Sequence, residues 1–178
     1  MLSGAGYCYT LYITAVYRRP VPPQGTAMSY IDPAIYVDPG RAQFDAFKAL
    51  PRHLPMNMLN LIKLRDHATY PDGCETTGAE AYAAYGRKSG PVFARVGGKI
   101  IWRGEPKLML IGPNAEAGSD TGIEAWDMAF VAYYPTASAF LEMVTDSDYK
   151  IAVKHRQAAV ADSRLLRCDV MEGGENFA

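Results

Sequence analysis

Cysteine is scarce in this sequence: among 178 residues only Cys8, Cys74 and Cys168 carry thiols. Three widely scattered cysteines suit neither a disulfide framework nor a zinc pair, and reduced thiols in a cytoplasmic protein are the simplest reading. Histidine is equally sparse. His53, His67 and His155 are dispersed, so a three-histidine metal site would need long-range convergence, and no metal is expected. Charge of one sign is missing too: 18 Lys and Arg stand against 19 Asp and Glu, a net charge of -1. No global positive field exists to hold nucleic acid or an anionic membrane surface. The longest apolar run, Leu2 to Tyr17, falls below the roughly 20 residues that a membrane-crossing helix needs. Its positive charges, Arg18 and Arg19, follow the run, where a secretory signal would put them in front. Phosphate-loop, dinucleotide, zinc-protease and serine-hydrolase motifs are all absent, as are repeats.

Hydrophobic residues make up 49% and charged residues 21%, a balance that excludes a disordered chain and suits one folded core. The first 27 residues contain no acid, and Pro20, Pro22, Pro23 and Gly25 form a breaker cluster just before Met28. Residues 1–27 therefore read as an N-terminal arm or leader, with translation from Met28 as one alternative. The rival is an ordered strand from Tyr7 to Tyr17 pairing with a sheet edge. A domain over residues 28–171 and a flexible polar tail over 172–178 complete the organisation.

Within the domain, Phe44, Phe47 and Leu50 recur at helical spacing between Asp38, a candidate cap, and Pro51, a stop. From Met56 to Arg65 the period changes to two, giving a strand covered on both sides. Glu80 to Val96 reads as a helix with Ala81, Tyr85, Ser89, Val92 and Val96 inward, bent at Pro91 and ended by Gly97-Gly98. Lys99 to Arg103 and Lys107 to Ile111 are expected as a hairpin turned at Gly104-Glu105-Pro106, with a loop over Asn114 to Glu124. A central strand from Trp126 to Tyr134, helices over Thr136 to Met143 and Asp148 to Ala161, and a strand from Ser163 to Val170 follow. The order suits an α+β fold, an antiparallel sheet with helices on one face.

Arg156 is the most informative position. On the last helix Tyr149, Ala152, Val153, Ala159 and Val160 form the apolar stripe, and Arg156 falls inside it. A buried guanidinium needs a carboxylate, backbone carbonyls, an anionic ligand or a water-filled cavity; alternatively its head snorkels outward or forms a structural ion pair. Asn60 interrupts the hydrophobic face between Met58 and Ile62, so its amide needs partners, from a ligand or from nearby backbone. Tyr82 and Tyr85, with Trp102 and Arg103, either line the same space as Arg156 or serve as core and solvated strand. His155 stands at the edge of the buried face as a candidate general base or a surface histidine.

The segments Phe44-Asp45-Ala46-Phe47-Lys48-Ala49-Leu50-Pro51, Met58-Leu59-Asn60-Leu61, Gly78-Ala79-Glu80-Ala81-Tyr82, Gly97-Gly98 before Trp102-Arg103-Gly104, and Tyr149 through Arg156 resemble the domain of unknown function 1330 family. The resemblance implies a ferredoxin-like dimeric α/β barrel, in which the sheets of two protomers face each other. The family's basic pair corresponds to His155 and Arg156, and its Gly-Gly to Gly97 and Gly98. The wider superfamily includes cofactor-free monooxygenases, isomerases and heme enzymes, so the fold does not select a reaction. The leading expectation is a cytoplasmic homodimer with a pocket between sheet and helices. There Asn60 and Arg156 would hold an anionic or carbonyl oxygen, and Tyr82, Tyr85 and Trp102 would enclose apolar atoms. Were it an enzyme, it would work without cofactor, with His155 as base and Arg156 or Arg103 stabilising an enolate-like anion. The alternatives are a non-enzymatic dimer that serves as scaffold or binding module, and heme binding through His155.

Overall fold

The computed structural model describes residues 36–111 and 126–173. The expected arm over 1–27, its rival strand, the loop over Asn114 to Glu124 and the tail beyond residue 173 lie outside the described residues. At the centre is β1 (Met56–Leu64), paired antiparallel with β3 (Met128–Tyr134) on one side and β4 (Val160–Asp169) on the other. The edge strand β2 (Lys99–Gly104) pairs antiparallel with β3, so the order is β2-β3-β1-β4. With α2 (Gly78–Arg95) between β1 and β2, and α3 (Ala137–Thr145) and α4 (Ser147–Ala159) between β3 and β4, this is the ferredoxin-like β-α-β-β-α-β topology. A further helix, α1 (Arg41–Ala49), precedes the sheet.

Alternation along the strands sets the layers. Met56, Met58 and Ile62 of β1, with Ala132 and Tyr134 of β3, are almost wholly buried on the helix side. They pack against Val92 and Val96 of α2 and Tyr149 of α4, and Phe47 of α1 closes the layer from outside, edge-on to Phe140. The inward stripe expected for α2 is found, with Ala81, Ser89, Val92 and Val96 buried and Tyr85 half-buried.

Local chemistry explains where α2 starts and stops. The Thr77 side chain accepts from the Glu80 backbone N–H, and the Glu80 carboxylate accepts from Thr77 N–H, a reciprocal capping box. The same carboxylate accepts from the Thr76 hydroxyl, then from the Thr77 N–H and the Thr77 hydroxyl, which together hold the Glu80 carboxyl down at about 2. Gly78 is demanded by close approach, since a Cβ there would lie 2.1 Å from the Arg65 carbonyl oxygen. At the other end Gly97 takes φ 78°, and the bonds Gly98 N–H to Phe93 O and Gly97 N–H to Ala94 O form a Schellman close. Pro91 lies inside α2 on its exposed side. Asp146 caps α4, accepting from the N–H groups of Asp148 and Tyr149.

Two sequence expectations fail here. Lys107 to Ile111 is not a strand: β2 pairs with β3 instead, and Leu108, Leu110 and Ile111 are left 80%, 84% and 90% exposed. Asp38 does not cap α1, whose N-cap is Gly40 without a side-chain bond; Asp38 turns instead toward α4.

The register gives the sheet a second face, uncovered by any helix among the described residues. Trp102, Val131, Leu59 and Leu166 line up across all four strands on it, with Gly104, Ala129, Leu61 and Arg164 in the next row. Trp102 is 53% and Leu166 49% exposed. An irregularity between Ile100 and Trp102 shifts the β2 register, so Trp102 faces Val131 and Arg103 faces Phe130.

Candidate functional site

On the helix side, one cross-strand row reads Arg103, Phe130, Asn60, Leu165. Helix α2 brings Tyr82 and Tyr85 to this side, their rings 5.5 Å apart, and Tyr85 shares a hydrogen bond of 3.2 Å with Tyr149. Burial drives the Tyr82 phenol well above its ordinary range, the neighbouring Tyr85 adds to the rise, and the positive charges of Arg156 and Arg103 partly oppose it. Tyr82 therefore keeps its proton beside two guanidinium groups. Asn60 resolves its anomaly locally, its amide donating to the Met58 carbonyl at 2.9 Å. The structure thus collects Asn60, Tyr82, Tyr85, Arg103 and Arg156 on one side of the sheet. Trp102 is not with them, because consecutive strand residues point to opposite faces.

Arg156 points inward, its side chain 13% exposed. Its donors are already engaged within the chain: Nη1 donates to the Val37 carbonyl, Nη2 to Ser163 Oγ at 3.0 Å, and Asp38 Oδ1 lies 3.7 Å away. The Ser163 hydroxyl in turn donates to the Tyr36 carbonyl, Gln157 donates to Asp38 at 2.8 Å, and the Arg164 guanidinium lies 4.4 Å from the centre of the Tyr36 ring. A strap of three residues, Tyr36 to Asp38, is thereby clipped to α4 and β4. Nothing in the sequence pattern singles out Val37 and Tyr36 as partners, since both offer only backbone oxygen.

His155 looks elsewhere, toward the loop after β1. Its Nδ1 lies 2.5 Å from the Tyr70 hydroxyl, and the two rings meet edge-on at 5.6 Å. Desolvation, followed by the cations Lys88 and Arg87 of α2, lowers the His155 pKa. Burial, followed by Cys74 and Asp72, raises that of Tyr70. In the tautomer protonated at Nε2, the Tyr70 hydroxyl donates a hydrogen bond to Nδ1 of a neutral imidazole and the Nε2–H is left free. Both residues line a cavity of about 570 Å³ outside α4. Tyr70 was not foreseen as a site residue, because it lies in a loop with no periodicity.

A shallower hollow of about 280 Å³ lies on the uncovered sheet face, lined by Leu61, Trp102, Met109, Trp126 and Ala129 among others. It is there, and not beside Arg156, that Trp102 contributes. Among the described residues no cluster of His, Cys, Asp and Glu is placed to hold a metal ion, and no helix is long and apolar enough to cross a membrane.

Topology and layers define an α+β protein of ferredoxin-like fold. No family model matches the chain, and no curated protein matches it. Solved structures do, among them that of the methylated RPA0582 protein, 54% identical with a TM-score of 0.72, covering 79% of this chain and 98% of the other, and a second of RPA0582. The latter is described as a protein of unknown function from Rhodopseudomonas palustris, 54% identical with a TM-score of 0.69, covering 78% and 98%. The chain belongs to the same family as RPA0582. A third structure, described as a dimeric protein of unknown function and ferredoxin-like fold from Bacteroides fragilis, is 14% identical over 65% of this chain and 96% of its own, with a TM-score of 0.40.

Proposed function

We propose that the protein is a cytoplasmic homodimer of the domain of unknown function 1330 type, two sheets face to face in a dimeric α/β barrel, and that it serves as a non-enzymatic scaffold or binding module. One observation carries this: the row Trp102, Val131, Leu59 and Leu166 crosses all four strands and, among the described residues, no helix lies over it. A contiguous apolar sheet face of this kind marks an interaction surface. Four strands about 4.8 Å apart and seven residues about 3.4 Å each span a footprint of roughly 450 Å². Side-chain relief, together with Met109 beside Trp102 in the hollow on this face, brings that toward the roughly 800 Å² per partner of a stable complex. The face also carries both signs, with Lys63 paired in register to Asp162 and Arg164 in the adjacent row, so a two-fold related copy meets it without like-charge conflict. Engagement of Arg156 by Val37, Ser163 and Asp38 favours core over pocket on the helix side.

Sedimentation equilibrium tests the proposal. The wild-type chain should run at twice the monomer mass, and Trp102→Glu and Leu166→Glu should shift it to monomer with unchanged far-UV circular dichroism. A monomeric wild type, or a dimer indifferent to both substitutions, defeats the reading.

A second reading keeps a small-molecule site between sheet and α2, for an anionic or carbonyl oxygen, with cofactor-free proton abstraction or oxygenation as its chemistry. Arg103 favours it, because among the described residues this guanidinium has no hydrogen bond or ion pair, yet its charge reaches the Tyr82 phenol. Saturable oxalate quenching of intrinsic fluorescence, lost in Arg103→Gln, is its expected signature; no saturation in wild type removes it.

A further inference from the structure

The cavity outside α4 shares no residue with the uncovered sheet face and none with the Tyr82 and Arg103 cluster, so what it does is independent of both readings above. Its volume of about 570 Å³ lies within the range of sites that hold small molecules. One wall is apolar, made by Pro71 of the loop and Ile151 and Ala158 of α4; Ile151 is 56% exposed despite its size. The other wall is polar, with Lys154 and His155 one residue apart on α4 and Asp72 across from them on the loop.

The loop is held in place by its own bonds. Thr69 N–H donates to the Ala158 carbonyl at 3.0 Å, Gly73 N–H to the Tyr70 carbonyl at 3.0 Å, and Cys74 N–H to Asp72 at 3.1 Å. The Tyr70 hydroxyl then fastens the imidazole from behind. A ring nitrogen oriented by a second group in this way is a preformed donor that gives up little rotamer freedom on binding. The lining carries one charge of each sign, and α2 adds two cations that act on His155. Lys154 lines the cavity and Lys88 and Arg87 of α2 act on His155, whereas the single lining carboxylate, Asp72, has one oxygen committed to Cys74 N–H.

We propose that this cavity is a binding site for a small carboxylate with an apolar body, its carboxylate held by Lys154 Nζ and the Nε2–H of His155 and its hydrocarbon part laid on Pro71, Ile151 and Ala158. The ammonium supplies the charge and the oriented imidazole the direction. The role assigned to His155 is that of a donor, since Nδ1 is spoken for by Tyr70, and Tyr70 is a positioning residue that acts through it.

Titration of the full chain with acetate, butyrate and hexanoate, followed by backbone amide chemical shifts, tests this. Saturable shifts confined to residues 69–72 and 151–158 are expected, with affinity rising about two- to fourfold per methylene added. Lys154→Gln should weaken hexanoate binding about tenfold, the loss of one charge-assisted contact. Tyr70→Phe should cost less, while leaving the chain-length dependence intact. Hexanamide, equal in shape and without charge, should produce no saturable shift. The site is overturned by an affinity indifferent to chain length, by equal binding of hexanamide, by shifts spread over lysines elsewhere, or by an unaltered Lys154→Gln. Lys154 is exposed, so that variant folds as the parent does; His155→Ala supplies a second, independent loss.

Discussion

Replacing Arg156 by alanine should unclip the strap from the body of the domain. The side chain makes two directed hydrogen bonds, to the Val37 carbonyl and Ser163 Oγ, and lies 3.7 Å from Asp38. Each bond from a charged donor is worth about 1.5 kcal/mol or more. The Asp38 carboxylate is 49% exposed, so solvent screening limits the ion pair to under about 1 kcal/mol. The sum is about 3 kcal/mol, which for a domain of this size lowers the melting temperature by about 6 to 12 °C. Thermal and urea unfolding of Arg156→Ala measure it directly, and chymotrypsin should cut more readily after Tyr36. Arg156→Lys, which keeps the charge and loses the fork, should fall between. Two results would refute the reasoning. An Arg156→Ala protein within about 0.5 kcal/mol of wild type means that the guanidinium is no clip. An Asp38→Ala protein as unstable as Arg156→Ala means that the ion pair, not the carbonyl and hydroxyl, holds the strap.

Pro91→Ala should stabilise the chain by about 1 kcal/mol, since the ring removes a backbone donor within α2 and its position is exposed; a lower denaturation midpoint contradicts that. Thr77→Ala should cost about 1 kcal/mol by removing the capping box, read from urea midpoints. Stability should also respond to pH through His155, which faces Tyr70, Asp72 and Lys154 and feels Lys88 and Arg87 from α2. Its folded pKa lies below the ordinary histidine value of about 6.5, so the unfolded chain binds the proton more tightly. Its contribution is then level above that value and declines as pH drops below it, toward the folded pKa. His155→Gln should flatten that part of the profile, and an unchanged slope would assign the effect to another group.

Much of the architecture was legible because burial period and element type coincide. The two-residue alternation around Met58 and Ile62, the stripe through Ala81, Ser89 and Val92, and the apolar run into Tyr134 each have one physical solution, and the structure adopts it. Lys107 to Ile111 misleads because Leu108, Met109, Leu110 and Ile111 form an apolar run of strand length, while such a run says nothing about whether a neighbour exists to accept the hydrogen bonds. The inward aim of Arg156 follows from helix geometry, but its partners do not. Two of them belong to a strap over a hundred residues away in sequence, and the backbone carbonyl of Val37 leaves no trace in residue type. The His155 and Tyr70 contact escapes for the same reason. Loop residues have no period, so only tertiary structure shows which of them meets a helix.

The extra residue in β2 deserves a last thought as a kind of switch in the reading frame of the fold. With Ile101 paired to Val131 instead of standing in excess, Trp102 would lie opposite Phe130 beneath the helices and Arg103 opposite Ala129 on the other face. Deleting Ile101 would leave both side chains where they are, because Trp102 already pairs with Val131 and Arg103 with Phe130, whereas drawing Ile101 into the ladder would exchange indole and guanidinium between the two surfaces.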